Sequence, residues 1–98
     1  MKPVKFHPYA RREASQAYNW YSDRDEMAAE RFADELDRAV ETVSMSPRRF
    51  PEYLLGTQRL LLNNFPYAIV YRELHDHVRV IAVPHERRRP GYWKARRG

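Results

Sequence analysis

The pattern of apolar positions predicts two amphipathic helices that follow a short first strand, Val4–Phe6. Apolar side chains recur every three or four residues from about Pro8 to Tyr21, and again from about Glu26 to Ser44, which is the spacing of one helical face. Pro8 suits the first turn of a helix, where a missing N–H group loses no partner. Because the polar segment between the two stretches is short, we expect an antiparallel helical hairpin.

Three runs rich in β-branched and aromatic residues follow the helices and predict strands: Gln58–Asn63, Tyr67–Leu74 and Val78–His85. The last run is apolar at nearly every position, so we expect a central strand that is covered on both faces. The segment between the last two runs is too short for a crossover, so these strands should pair as an antiparallel hairpin.

The resulting order is β-α-α-β-β-β. It predicts a single domain, residues 1–98, of the α+β class, in which the helical hairpin packs on a small antiparallel sheet and a basic C-terminal tail follows. We expect apolar residues of both layers to form the core between helices and sheet. The expected core residues are Phe32, Leu36, Val40, Ile69, Tyr71, Val80 and Ala82.

The charge is unevenly distributed along the chain. The segment from Pro84 to Gly98 holds six basic residues and one acidic residue, a difference that equals the net charge of +5 of the whole sequence. Such a cluster indicates either a polyanionic or acidic protein partner, or a solvated and frayed C-terminus. The stretch Asp23–Glu41 holds eight acids and three bases, which is typical of a solvated helix surface.

The composition also excludes several kinds of site. There is no cysteine, so disulfides, thiolate metal sites and cysteine nucleophiles are excluded. The four histidines do not follow the spacing of a metal site, and we expect neither a metal nor a cofactor. No apolar run approaches membrane-spanning length and no signal-like segment opens the sequence, so we predict a cytoplasmic protein with no membrane partner.

The C-terminal part of the chain contains three distinctive segments: FPYAIVYR at Phe65–Arg72, VIAVPH at Val80–His85 and RRRPGYW at Arg87–Trp93. Together these segments resemble the RelE/ParE toxin superfamily, and the order of elements extends the resemblance over nearly the whole chain. The sequence pattern HxRRxPxYW is more similar to the ParE branch of the superfamily than to the RelE branch. The resemblance implies the toxin of a type II toxin–antitoxin pair, with an antitoxin segment that is disordered alone and folds onto the toxin.

For a ParE-like toxin, the resemblance implies growth inhibition through binding and inhibition of DNA gyrase, without nuclease activity. The basic tail would then supply the contact surface, together with one arginine of the first hairpin strand. The predicted target-binding residues are Arg59, Arg87, Arg88, Arg89, Tyr92 and Trp93.

Two other functions remain open from the sequence. A RelE-like, ribosome-dependent mRNA endoribonuclease would use His85, Arg87 and Tyr92 as catalytic residues. Leu61 and Ala68 stand where nucleases of that type carry cations, which is a poor set for a phosphoryl transition state. A non-toxic module that acts only through protein contact is the other alternative. The antitoxin class, the oligomeric state and the activity of the toxin are left open as well.

Overall fold

The computed structural model describes residues 1–96; Arg97 and Gly98, which belong to the predicted basic tail, lie outside the described residues. The elements are β1 (Val4–Phe6), α1 (Pro8–Ser22), α2 (Glu26–Met45), a short 3₁₀ turn (Leu54–Gly56), β2 (Gln58–Leu61), β3 (Ala68–Glu73) and β4 (Val78–Ala82). The predicted α+β class and the order β-α-α-β-β-β are therefore confirmed. None of the helices in the described part is long and apolar enough to cross a membrane.

The two helices begin at residues whose side chains cap them. His7 precedes α1, and its Nδ1 atom accepts a hydrogen bond from the Tyr9 backbone N–H at 3.0 Å. Asp25 precedes α2, and its carboxylate accepts one from the Met27 N–H at 3.0 Å. The caps fix where each helix starts, and the turn between them folds α2 back along α1.

The sheet has the strand order β1-β4-β3-β2, and it is mixed rather than purely antiparallel. β2 pairs antiparallel with β3, and β3 pairs antiparallel with β4, because short turns join these strands. β1 pairs parallel with β4, with Val4 opposite Val78. The prediction of an antiparallel sheet was wrong for β1, because the whole helical hairpin separates it from β2 and no tight turn sets its direction.

The central strand β4 is covered on both faces, as its continuous apolar run predicted. The helices cover one face, which we call the helix side. The other face, which we call the tail side, is covered by the C-terminal tail and the loop before β2. The buried residues of the tail side are Val70, Ile81, Ala82 and Trp93, with Tyr53 and Tyr92 packed against them.

A bulge in β4 corrects one predicted core position. Val70 pairs with Ala82 and Tyr71 pairs with Val80, so Ile81 is an extra residue in the register of β4. The extra residue reverses the inward and outward alternation, and Ala82 is buried on the tail side instead of the helix side. The other six predicted core residues pack on the helix side, where Val40 is half-buried.

Candidate functional site

The described part of the basic tail, Glu86–Arg96, is folded against the sheet. Successive turns shape it, with hydrogen bonds from the Arg88 N–H to the His85 carbonyl at 3.0 Å and from the Tyr92 N–H to the Arg89 carbonyl at 3.2 Å. Trp93 is 2% exposed and packs on the tail side of the sheet. Gly91 has a φ angle of +78°, a conformation that favours glycine. A frayed tail is therefore excluded for this part of the chain.

A carboxylate from α1 holds the tail in place. Oε1 of Glu13 accepts hydrogen bonds from the Val83 N–H and from Arg96 Nη1, both at 2.9 Å. Oε2 accepts them from the Tyr92 hydroxyl at 2.7 Å and from Arg96 Nη2 at 2.8 Å. The Glu13 and Arg96 side chains are each 12% exposed, and Arg96 also donates to the Ile81 carbonyl at 3.1 Å. We call these residues, Glu13, Tyr92 and Arg96, the tail clamp.

The charge state of the tail clamp follows from its hydrogen bonds. Burial raises the pKa of Glu13, but hydrogen bonds from Arg96, Tyr92 and the Val83 N–H lower it by more, so its pKa lies below the ordinary value. Burial and the adjacent Glu13 carboxylate raise the pKa of Tyr92. At neutral pH Glu13 is therefore ionised, and Tyr92 keeps the proton that it donates.

Between β2 and the tail lies a cleft of about 220 Å³, which we call the basic cleft. Its charged lining consists of Arg59, Arg88 and Arg89 with one acid, Glu86, and His85 lies beside them. The Arg59 guanidinium lies 4.0 Å from the ring centroid of Tyr53, and the Arg88 guanidinium lies 3.8 Å from that of Tyr92. Stacking on an aromatic ring orients a guanidinium and leaves its N–H donors in the plane of the group free to bind.

These guanidinium groups have no acidic partner in the described chain. The ion pairs within residues 1–96 join Lys2 and Arg48 to Glu73, His77 to Asp76 and Arg96 to Glu13. Arg59, Arg88 and Arg89 take part in none of them. Their charge is therefore available to a ligand or a partner.

One exposed leucine lines the basic cleft, and two more lie in the loop before β2. Leu61, at the end of β2, lines the cleft and is 61% exposed. Leu54 and Leu55 lie in the loop before β2 and are 41% and 60% exposed. Leu55 has φ 58° and ψ 40°, a left-handed conformation that is strained for a residue with a side chain. This part of the surface thus combines unpaired positive charge, aromatic rings and exposed aliphatic side chains.

The structure brings most of the predicted target-binding residues together. Arg59, Arg88, Arg89, Tyr92 and Trp93 all line the basic cleft, although only the first three present charge to it. Arg87 is exposed but is not among the residues of the described chain that line the cleft. Trp93 is buried, so its part in the structure is to anchor the tail.

Two of the three candidate catalytic side chains, those of His85 and Tyr92, have other hydrogen-bonding roles. His85 Nδ1 accepts a hydrogen bond from the Arg87 N–H at 3.0 Å, so the neutral ring carries its proton on Nε2. The His85 ring also packs edge-on against Tyr67, with the centroids 5.0 Å apart. The Tyr92 hydroxyl is committed to Glu13. His85 Nδ1 and the Tyr92 hydroxyl therefore serve the fold, and neither of these two groups is free to act as a general base or acid.

Sequence reasoning missed Glu13 and Arg96, the charged pair of the tail clamp. A signal for Glu13 is present in the sequence: it lies three residues after Ala10 and four before Ala17, and both alanines are buried. An acidic residue on the apolar face of a helix needs a polar partner. Arg96 is one of several basic residues in the tail, and its spacing gives no sign of its partner.

A second buried acid was also missed. Glu35 of α2 lies within the acidic stretch that predicted a solvated surface, yet it is 9% exposed. Its carboxylate accepts hydrogen bonds from the Asn63 N–H and from Asn64 Nδ2, the latter at 3.0 Å. Glu35 therefore ties the turn between β2 and β3 to α2.

Comparisons with known proteins agree with this fold. A solved structure described as the chromosomal ParDE TA system from P. aeruginosa is similar to this chain, with a TM-score of 0.76 and 15% sequence identity. The match covers 87% of this chain and 96% of that chain, and at this identity it shows the fold alone. The comparison with curated proteins finds no significant match.

The family comparison goes further than the structural one. The sequence profile of the family described as the ParE toxin of the type II toxin–antitoxin system, parDE, matches residues 4–90. This span includes both helices, all four strands and the arginines of the basic cleft, and it ends just before Gly91. The chain therefore belongs to the ParE toxin family of type II toxin–antitoxin systems.

Proposed function

We propose that this ParE family toxin inhibits DNA gyrase by direct contact, and that the basic cleft, with Leu61 exposed in it, is the contact surface. The observation that carries the proposal is the set of three guanidinium groups, Arg59, Arg88 and Arg89, that have no acidic partner within residues 1–96. Gyrase acts in the cytoplasm, which is where we propose that the toxin works.

The chemistry of the surface favours a protein target. Arginine and aromatic residues are enriched at protein–protein hot spots, where they fill desolvated pockets. Leu61 adds exposed aliphatic surface to the cleft. A nucleic-acid interface is more polar and more uniformly positive than this one.

The geometry gives less support to the mRNA endoribonuclease. The Leu61 and Ala68 side chains supply no cation, and the Nδ1 atom of His85 and the Tyr92 hydroxyl are engaged within the fold. Ribonuclease chemistry requires a general base, a general acid and cations around the phosphate. Gyrase inhibition requires only that the surface be complementary to its target.

We also propose that a protein antitoxin is the partner of this toxin in the resting cell. The solved structure similar to this chain is described as a toxin–antitoxin system, and membership of the ParE toxin family supports the same partner. An acidic antitoxin segment that folds on binding would complement the basic tail and associate fastest at low salt. Co-purification with the product of the neighbouring gene tests this, and two folded proteins that form no complex would refute it.

A supercoiling assay with purified gyrase tests the target. The unmodified toxin should inhibit supercoiling, and the double variant R88E/R89E should be weaker by about tenfold or more, because charge reversal at a close interface pair costs several kcal/mol. The matched control is R31E/R38E, which reverses the same number of charges at exposed positions of α2 and should retain inhibition.

A parallel assay on translating ribosomes tests the alternative. The toxin should leave mRNA intact in this assay. Codon-linked mRNA cleavage that is lost in Tyr92→Phe, with supercoiling unaffected by the toxin, would replace the proposal with the endoribonuclease. If the toxin neither inhibits supercoiling nor cleaves mRNA, and its expression does not arrest growth, the protein is the non-toxic binding module.

A further inference from the structure

We infer that Glu13 is a positioning residue that sets the geometry of the basic cleft from the opposite side of the tail. The inference rests on the proposed function for its target, and on the tail clamp for its mechanism. Glu13 would not touch the target; it would act through Tyr92 and Arg96.

Glu13 is the point at which three parts of the chain meet. The residue belongs to α1, it receives the Val83 N–H just after β4, and it receives the side chains of Tyr92 and Arg96 from the tail. Four hydrogen bonds satisfy both carboxylate oxygens, and the pair with Arg96 is bidentate. Because both side chains are 12% exposed, water competes little for these bonds.

The contact reaches the basic cleft through Tyr92. The Tyr92 hydroxyl donates to Glu13, and the Arg88 guanidinium stacks on the same tyrosine ring at 3.8 Å. Arg96 lies 5.2 Å from the centroid of that ring. If Glu13 releases Tyr92, the ring that orients Arg88 is no longer fixed. The cleft then loses the ordered position of Arg88, one of the three lining arginines that have no acidic partner within residues 1–96.

The clamp also closes the tail at its end. The tail leaves the sheet at Glu86, whose N–H donates to the Pro66 carbonyl at 2.8 Å, and it returns at Arg96, which donates to both Glu13 and the Ile81 carbonyl. Between these points, only Trp93 is fully buried against the sheet. Loss of the Arg96 contact would leave the end of the tail held chiefly by the apolar packing of Trp93 and Tyr92 and by the Tyr92 hydrogen bond to Glu13. The family match ends at residue 90, so Tyr92 and Arg96 lie beyond it.

Positioning and simple electrostatics predict opposite results for Glu13→Gln. The variant raises the net charge by one, so a purely electrostatic attraction to an acidic target would become stronger. Positioning predicts weaker inhibition, because the amide cannot form the bidentate ion pair with Arg96. The sign of the change therefore separates the two explanations.

The test uses the two tryptophans of the chain. Trp20→Phe leaves Trp93 as the only tryptophan, and its fluorescence then reports whether the tail is docked. In this background, E13Q and R96M should shift Trp93 emission to longer wavelength, increase its quenching by acrylamide, and weaken supercoiling inhibition by about tenfold. The matched control is E30Q, which removes an exposed acid from α2 and should change none of these.

Circular dichroism separates undocking from unfolding, since E13Q and R96M should retain the helical signal of the parent. Unchanged Trp93 emission and unchanged inhibition in both variants would overturn the inference. Exposed Trp93 with full inhibition would also overturn it, because the tail geometry would then not matter to the target. If the parent fails to inhibit gyrase, the proposed function fails, while exposure of Trp93 in E13Q but not in E30Q still supports the clamp.

Discussion

The two faces of the sheet are buried in different ways. The helix side is a continuous apolar cluster in which Phe32, Ile69, Tyr71, Val80 and their neighbours pack with almost no exposure. Within residues 1–96, the tail side has four buried residues and is completed by half-buried aromatic rings and by the hydrogen bonds of Glu13. The first face depends on apolar area, and the second depends on a few directional contacts.

This difference separates stability from binding. Apolar packing over a large cluster unfolds as a unit, whereas a short segment held by few contacts opens at lower free energy. The basic cleft lies on the tail side, where the free arginines and the strained Leu55 are found. We therefore expect helix-side changes to affect the whole fold, and tail-side changes to affect the tail and its partner.

The largest predicted effect is on the helix side. Phe32→Ala should cost about 3–5 kcal/mol in the free energy of unfolding, because it removes a buried ring and leaves a cavity. Phe32 is 1% exposed, and its ring lies 5.4 Å from those of Phe65 and Tyr67. Urea unfolding measures the loss, and Met27→Ala, at a position of the same helix that is 66% exposed, should change it by less than about 0.5 kcal/mol. A Phe32 loss below about 1 kcal/mol would mean that the two faces do not differ as described.

The helix side was the part that sequence could predict. A helical period of apolar residues marks the face that must be buried, and the runs of β-branched residues mark the strands, so order and helix bounds followed from local patterns. The parallel pairing of β1 did not follow, because it depends on the path of the helical hairpin. Ala82 was assigned to the wrong face, because the sequence gives no sign of the extra residue at Ile81.

The sequence predicted which residues belong to the tail side, but it did not predict the contacts that hold the tail in place. The density of arginines and aromatics singled out the tail, and the structure gathers Arg59, Arg88 and Arg89 around one cleft. The clamp joins Glu13 to Arg96, which are 83 positions apart, and no local pattern links such positions. The ion pair between these distant residues is therefore the part of the site that a single sequence does not predict.

Trp93→Ala should have the next largest effect, and it tests whether the tail opens separately. Truncation of a buried tryptophan in a single core costs about 3–5 kcal/mol. Here the cost is limited by the free energy of undocking the tail, so we expect about 1–3 kcal/mol. Limited trypsin digestion should cut the variant within the arginine-rich tail before the helices are attacked. If Trp93→Ala lowers the free energy of unfolding as much as Phe32→Ala does, and the tail still resists trypsin, the two faces unfold as one cooperative core.

The pH dependence should be smaller and should come from the tail side. The pKa of Glu13 is lowered in the folded state from an ordinary value of 4.5, so the clamp is fully stabilising above that pH and is lost as the pH falls through the folded-state pKa. Glu73 titrates in the same direction, because hydrogen bonds from Lys2 and Arg48 lower its pKa. Unfolding free energies of the parent and E13Q should therefore converge as the pH falls below about 4.5. A constant difference between them down to pH 3 would show that the Glu13 charge does not stabilise the tail.

The smallest predicted effect is a gain in stability at Leu55. Its left-handed conformation costs free energy that glycine avoids, while glycine loses more entropy on folding, so Leu55→Gly should stabilise the fold by about 0.5–1 kcal/mol. Leu54→Gly is the matched control, since Leu54 does not have a positive φ angle and its replacement should give no gain. If the exposed leucine contacts the target, Leu55→Gly should inhibit gyrase less although it is more stable. A lower free energy of unfolding in Leu55→Gly would show that the Leu55 side chain contributes more to the fold than its strain costs. The tail side would then be more firmly packed than its few buried residues indicate.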